Sequence, residues 1–133
     1  MPHHKIALFG EAEKGTFCSP LVFSKLVPLE ETLGNPPEGS MGLHLAIQAL
    51  MLQKEVVYIR VQEEGFSISD YEKGLYLLQK QPLAALGMPG MGHQEILHQA
   101  FDLCRLHNAF LMISQKDFYD YITTFCSESP YGL

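Results

Sequence analysis

The sequence KIALF at Lys5–Phe9 is the first of four short apolar runs that decide the fold of this chain. The other three are VVYIRV at Val56–Val61, LAALG at Leu83–Gly87 and AFLMI at Ala109–Ile113. Strands of a parallel sheet are covered by helices on both faces, so they lose the alternation of polar and apolar residues. The four runs therefore predict a mainly parallel sheet of about four or five strands.

Helical segments between successive strands indicate a doubly wound domain. A parallel strand followed by a helix returns to the sheet by a right-handed crossover, and the helices then cover both faces of the sheet. With 133 residues, the chain suits one domain with one hydrophobic core. We therefore expect residues 1–133 to form a single three-layer α/β domain of the Rossmann-like or flavodoxin-like kind.

Capping residues and apolar spacing place the helices. Ser19 followed by Pro20 predicts a short helix over Pro20–Val27 that ends at Pro28. Ser40 is expected to cap the next helix, whose apolar residues recur every three or four positions. Further helices are predicted after a cap at Ser67 or Ser69, from the loop Met88–Gly92 to His107, and over Gln115–Phe125.

The charge of the chain excludes one class of partner. Its formal net charge is −6, and its nine Lys and Arg residues are scattered along the sequence. Affinity for nucleic acids comes largely from clustered Lys and Arg. We therefore expect no nucleic-acid partner.

Apolar content and cysteine usage indicate the cytoplasm. No apolar stretch has the length that crosses a bilayer, and Met1–Lys5 lack the apolar region of a signal peptide. Three cysteines, Cys18, Cys104 and Cys126, suit a reducing compartment. We expect a cytoplasmic protein with no membrane partner, and neither a cofactor nor a metal-ligand set can be assigned from the sequence.

Ligands of doubly wound folds bind beyond the carboxyl ends of the strands, and this rule selects the loops that follow the apolar runs. The loop after the first run has two glycines, as a phosphate-binding loop does. Its Lys14 precedes Gly15 instead of following it, and two carboxylates would repel a phosphate, so a P-loop is excluded. The ligand-binding residues that we predict in these loops are Gly10, Glu11, Lys14, Glu64, Ser69, Gly90, Gly92 and His93.

The segment around His93 is a candidate site for a small anionic ligand. Gly90 and Gly92 precede the long helix, and His93 stands where unpaired backbone N–H groups attract anions. The alternative is that the glycines only permit a tight turn and that His93 or Gln94 caps the helix.

Cys18 and Glu72 are candidate catalytic residues. Cys18 precedes the predicted helix start at Pro20, and a helix N-terminus lowers the pKa of a thiol. Glu72 stands one turn into a helix, where a nucleophile or base for glycosidic exchange is found in nucleoside deoxyribosyltransferase-like and TIR-like folds. The alternatives are a packed cysteine and an acidic residue that the helix dipole favours.

The middle of the chain resembles a known family. GLHLAIQAL at Gly42–Leu50 and VVYIRVQEEGF at Val56–Phe66 are similar to a helix–strand–loop pattern of the DsrE/DsrF-like sulfur-relay family. The resemblance implies a small cytoplasmic α/β oligomer, with a persulfide carried by a cysteine after the third strand. The corresponding residues Gly87–Gly92 include no cysteine, Glu64 replaces an aspartate, and residues 17–39 form an insertion.

The function expected from these features is binding. We expect a non-catalytic binding or adaptor protein with a site for a ligand or protein partner at the strand ends. The alternative is a group-transfer enzyme that uses Cys18 for sulfur or Glu72 for nucleoside or glycosyl transfer. A homo-oligomer is expected because two loop methionines, Met88 and Met91, and many aromatic residues exceed the needs of one small core. These aromatic residues are Tyr71, Tyr76, Phe118, Tyr119, Tyr121 and Phe125.

Overall fold

The computed structural model describes the backbone of residues 5–126 and the side chains of residues 5–124. The chain forms an α/β structure around one mixed sheet. Its five strands are β1 (Lys5–Gly10), β2 (Leu21–Phe23), β3 (Val56–Arg60), β4 (Leu83–Gly87) and β5 (Phe110–Met112). The predicted mainly parallel sheet of about four or five strands is confirmed.

Five α-helices connect or follow the strands. They are α1 (Leu26–Leu33), α2 (Gly42–Met51), α3 (Ile68–Leu77), α4 (Gln94–His107) and α5 (Gln115–Tyr121). A 3₁₀ turn, Leu78–Lys80, extends α3, and a π-helical turn, Ile122–Cys126, extends α5. Helix α4 ends where Asn108 adopts the left-handed conformation, with φ of 57°, which asparagine tolerates better than most residues.

The strand order places four carboxyl ends at one edge of the sheet. The order is β2-β3-β1-β4-β5, with β1 paired in parallel to β3 and β4, and β4 paired in parallel to β5. The chain first moves from β1 to β3 on one side and then crosses to β4 on the other. The direction of winding therefore reverses between β1 and β4, which is where open α/β sheets form a ligand crevice.

The helix predicted over Pro20–Val27 is wrong. Leu21–Phe23 form an edge strand antiparallel to β3, with Val22 opposite Val57, and the helix begins only at Leu26. Pro28 lies in its first turn, where backbone N–H groups have no partner within the helix, so proline does not end it.

The predicted serine caps are also corrected. Met41, not Ser40, is the N-cap residue of α2, and the buried Ser40 hydroxyl has no hydrogen-bond partner among the described residues. Ser67 is the N-cap residue of α3, as predicted, but its hydroxyl bonds to the backbone of Glu63 and makes no capping bond. Other groups must therefore satisfy the first N–H groups of α2.

Buried side chains of β1 alternate between two apolar clusters. Ile6 and Leu8 belong to a cluster with residues of α1, α2 and α5, whereas Ala7 and Phe9 belong to a cluster with residues of α3 and α4. The strand is thus buried on both faces, which explains its unbroken apolar sequence. None of the helices within residues 5–126 combines the length and the apolar character that membrane crossing requires.

Several residues that were expected to exceed the needs of one small core are in fact part of it. Met88 and Met91 follow β4 in a loop, yet both are buried. Tyr71, Phe118 and Tyr121 are also buried, and Tyr76 and Tyr119 are exposed; Phe125 lies outside the described side chains. Cys104 in α4 is buried in the same cluster as Met88 and Met91.

Two glycines allow β1 and α2 to approach closely. A Cβ atom on Gly42 would lie 2.6 Å from the carbonyl oxygen of Phe9 and 2.7 Å from Cα of Gly10. Both neighbours are backbone atoms, so no rotamer change can relieve the overlap. The first turn of α2 is therefore held against the carboxyl end of β1.

Substitution of Gly42→Ala tests this contact. We expect the free energy of unfolding, measured in urea, to fall by about 1–3 kcal/mol because the added methyl overlaps backbone. Gly92→Ala is the matched control: no atom lies within 4 Å of its Cβ position, so its effect should stay within about 0.5 kcal/mol. Equal losses in the two variants would contradict the close approach.

Candidate functional site

A groove of about 640 Å³ opens at the carboxyl ends of the parallel strands. The loops after β1, β3, β4 and β5 and the start of α2 all contribute to it, as expected for a doubly wound sheet. We call it the strand-end groove. It is lined by Glu11, Gly39, Met41, Glu63, Glu64, Phe66, Pro89, Gly90, Ile113, Ser114 and Gln115.

Glu64 is the most highly bonded side chain of this groove. Its Oε1 accepts the backbone N–H groups of Glu11 and Gly42, each at 3.1 Å. Its Oε2 accepts the N–H of Met41 at 2.7 Å. The carboxylate therefore caps the N-terminus of α2 from a distant part of the chain, and it replaces the serine cap expected at Ser40.

This position is where many α/β proteins hold an anion. Unpaired N–H groups and the dipole of a helix favour negative charge at its N-terminus. Here the anion is the protein's own carboxylate, and Gly10 makes room for it: a Cβ on Gly10 would lie 2.7 Å from Oε1 of Glu64. The start of α2 thus has its negative charge supplied from within the chain.

Glu11 completes the link between the loops after β1 and β3. Its Oε2 accepts the N–H of Glu64 at 2.8 Å, so the two glutamates exchange backbone and side-chain bonds. Its carbonyl accepts the hydroxyl of the buried Tyr58 at 2.8 Å. Burial raises the pKa of Tyr58 well above its ordinary value, and the charges of Glu64 and Glu11 raise it further, so the phenol stays protonated as a donor.

The loops after β3 and β4 meet through two glycines. Gly65 has a positive φ of 88°, and a Cβ there would lie 2.8 Å from the carbonyl oxygen of Gly90. The N–H of Gly65 donates to the hydroxyl of Tyr71 at 2.6 Å, and the Tyr71 ring stacks on Phe9 at 4.9 Å. The floor of the strand-end groove is therefore tied to the core.

The groove is acidic and partly aromatic. Glu11, Glu63 and Glu64 line it, and its lining includes no Lys, Arg or His among the described residues. Phe66 stands at its edge with 75% of its surface exposed. Among the side chains of residues 5–124, no three His, Cys, Asp or Glu converge closely enough to hold a metal ion. The negative charge of the three glutamates, beside an exposed aromatic ring, favours an organic cation over an anion in this groove.

Five predicted binding residues do not line this groove, although one of them, Gly10, lies against Oε1 of Glu64. Lys14 is exposed in the loop after β1, and Ser69 is exposed in the first turn of α3. His93 is exposed at the N-cap position of α4, where its side chain makes no capping bond, and Gly92 beside it is exposed as well. Gly10, Glu11, Glu64 and Gly90 are the predicted residues that the structure brings together.

Cys18 is held in an environment that does not activate it. Since Pro20 does not begin a helix, no helix dipole acts there, and the expected lowering of the pKa is wrong. The thiol donates to Oδ1 of the buried Asp70 at 3.2 Å. Burial raises the pKa of Cys18, the hydrogen bond and charge of Asp70 raise it further, and Lys73 only partly opposes them.

Glu72 lies away from the strand-end groove. Its side chain lines a separate groove between α3 and α4, and it is not among the residues that line the strand-end groove. Sequence reasoning missed Met41 and Phe66, because neither has a motif. It also missed Tyr58, whose hydroxyl could be assigned only after the pairing of β3 with β1 was known.

Substitution of Glu64→Gln tests the carboxylate cap. An amide can accept only two of the three N–H groups well, because its NH₂ group faces the third. We expect the free energy of unfolding near neutral pH to fall by about 1–3 kcal/mol. Glu63→Gln is the matched control, because it removes the same charge from the same groove. The bonds between Glu63 and Ser67 involve the backbone of Glu63 and not its carboxylate. This variant should therefore change stability by less than about 0.5 kcal/mol.

The pH dependence of stability, compared between wild type and Glu64→Gln, gives a second test of the Glu64 carboxyl group. Burial raises the pKa of Glu64, although the N–H groups of Met41, Glu11 and Gly42 oppose this. The folded chain therefore keeps this proton to higher pH than the unfolded chain. The resulting stabilisation is complete below a pH of about 4.3 and is lost as the pH rises through the folded-state pKa. The stability gap between wild type and Glu64→Gln should thus be larger at about pH 4 than at about pH 7.

Alkylation by iodoacetamide tests the state of Cys18. We expect Cys18 to react more slowly than glutathione at mildly alkaline pH, and Asp70→Asn to accelerate it, because the thiolate is the nucleophile. Peptide mass spectrometry reads each site separately. Cys104 is the internal control: burial raises its pKa to about 11, and Asp70→Asn should leave its rate unchanged. Alkylation of wild-type Cys18 faster than glutathione would contradict the bond to Asp70.

The relation of this chain to known proteins was tested in three ways. Comparison with protein-family models, with curated proteins and with solved structures found no match. The resemblance of Gly42–Leu50 and Val56–Phe66 to the DsrE/DsrF-like family therefore stays a prediction.

Proposed function

We propose that this chain is a small cytoplasmic binding protein with a Rossmann-like, three-layer, doubly wound fold. Its site is the strand-end groove, and its ligand presents a positively charged nitrogen group, an amine or a guanidinium. That group belongs either to a small molecule or to a side chain of a protein partner. The observation that carries this proposal is the Glu64 carboxylate, which already occupies the anion position at the start of α2.

The charge of the groove supports a cationic ligand. A phosphate at the start of α2 would have to displace Glu64 and lie beside Glu11, and no basic residue lines the described groove to receive it. An amine or guanidinium, in contrast, gains from the three glutamates and from the face of the exposed Phe66. We therefore propose a cationic ligand, and not the small anion that the glycines near His93 predict.

A non-catalytic role fits the chemistry of the lining residues. The Ser114 hydroxyl accepts the N–H of Asp117 at 3.0 Å as a helix cap, and no base is bonded to it in the described structure. The remaining nucleophilic candidate, Cys18, has a raised pKa. The alternative is a group-transfer enzyme that uses Cys18 for sulfur transfer or Glu72 for nucleoside or glycosyl transfer.

Self-association is part of this proposal. Several large apolar side chains are exposed, including Met51, Leu52 and Phe101. Homo-oligomers commonly cover such side chains. Native mass spectrometry reports the stoichiometry directly.

Titration with arginine methyl ester, observed by ¹H–¹⁵N NMR, tests the cationic ligand. We expect shifts of the amide signals of Glu11, Glu64 and Phe66, and weaker binding at high salt. Phe66→Ala should lower the affinity by roughly 2- to 30-fold, because a cation over an aromatic ring gains about 0.5–2 kcal/mol.

Two comparisons make this test selective. Val27→Ala truncates another exposed apolar side chain, in α1, and should leave binding unchanged. Inorganic phosphate should not shift the groove signals. If phosphate shifts them and arginine methyl ester does not, the proposed ligand class is wrong.

A further inference from the structure

A second groove, of about 590 Å³, runs between α3 and α4. We call it the α3–α4 groove. Each side contributes residues at intervals of three and four, so each helix presents one stripe to it. These residues are Glu72, Leu75, Tyr76 and Gln79 on one side, and Gln99, Asp102, Leu103 and Leu106 on the other.

The groove has an apolar floor and apolar edges. Leu75 and Leu103 are nearly buried, at 4% and 5% exposure, and form its base. Tyr76 and Leu106 are 71% and 67% exposed beside them. Side chains of a third helix fit between two neighbouring helices in this way, and grooves of this kind bind amphipathic helices through apolar anchors.

The charged groups of the groove are both acidic. They are Glu72 and Asp102, and no Lys, Arg or His lines it within the described residues. Asp102 pairs with Arg105 at 3.2 Å, and its Oδ2 lies 3.8 Å from Nε2 of His98 on the same helix. No ion pair of Glu72 is found in the described structure, so its carboxylate is available to a partner's cation.

We propose that the α3–α4 groove binds an amphipathic, basic helix of a protein partner. The partner helix carries apolar side chains at positions i, i+3 or i+4, and i+7, and Lys or Arg residues beside them. The apolar side chains cover Leu75, Tyr76, Leu103 and Leu106, and a basic residue pairs with Glu72. This surface gives the protein a docking role in addition to the proposed cation binding.

Charge also distinguishes this partner from a second copy of the chain. A two-fold dimer brings the same surface patch together from both subunits. Glu72 and Asp102 of both copies would then lie in one interface, and like charges brought together in an interface oppose association. A basic helix has the complementary charge.

The two grooves share no lining residue. The docking proposal can therefore fail while the cation-binding proposal holds, and the reverse. The variant Glu63→Gln, in the strand-end groove, distinguishes the two proposals.

Binding of a synthetic peptide tests the proposal. The probe is a fluorescent Leu/Lys peptide of about 18 residues, five helical turns, with Leu at positions i, i+3 or i+4, and i+7. Fluorescence anisotropy gives its affinity for the full chain, and NMR shifts of α3 and α4 amides locate it. Tyr76→Ser with Leu106→Ser should weaken binding by about tenfold or more. Glu72→Lys should weaken it by about tenfold at low salt and less at high salt.

Matched controls use exposed residues of α1. Val27→Ser removes an exposed apolar side chain and Glu31→Lys reverses an exposed charge; each should leave the affinity within about twofold. Glu63→Gln, in the strand-end groove, should also leave it unchanged. Circular dichroism confirms that every variant is folded.

Three outcomes would overturn the proposal. One is equal binding of a peptide with the same composition but scrambled order, or of one with Glu in place of Lys. Another is an equal loss in the α1 variants. The third is a concentration-dependent dimer that Tyr76→Ser with Leu106→Ser abolishes, since the groove would then pair two copies of this chain.

Discussion

The carboxylate of Glu64 at the start of α2 is the interaction on which the functional end of this protein depends. It satisfies three backbone N–H groups that no serine or other local residue reaches. Through Glu11 and Tyr58 it joins the ends of β1 and β3, and the glycines Gly10 and Gly42 let the chains approach closely enough for these bonds. The arrangement couples helix capping, strand-end geometry and charge in one group.

This interaction also determines which ligands the site favours. In doubly wound proteins a helix that begins beside the carboxyl end of β1 commonly directs its N-terminus at a phosphate. Here the same backbone groups are committed to a side chain of the protein. What remains open to a ligand is an acidic groove with an exposed aromatic ring, and its chemistry is complementary to positive charge.

The fold was more predictable from the sequence than the site. The runs at Val56–Val61 and Leu83–Gly87 are buried on both faces, so their composition alone indicates parallel strands. Leu21–Phe23 is too short to show a period, and Ser19–Pro20 gave a helix signal that the edge pairing with β3 overrides. Glu64 and Glu11 were predicted as separate loop residues; their mutual bonds join positions 53 apart in sequence, which no local pattern reports. The activation expected at Cys18 was wrong because it relied on a helix that does not form there.

The short antiparallel strand β2 has a further consequence for how the protein behaves in concentrated solution. It covers the outer edge of β3, whose sequence VVYIR is rich in residues that favour strands. The strand has three residues, beside an isolated bridge between Phe17 and Arg60, and its Val22 is already half-exposed. Detachment of so small a segment needs far less energy than global unfolding, and it would present a bare hydrogen-bonding edge to other molecules. Aggregation of this protein would then begin from a nearly native state at the β2 edge, well before the core melts.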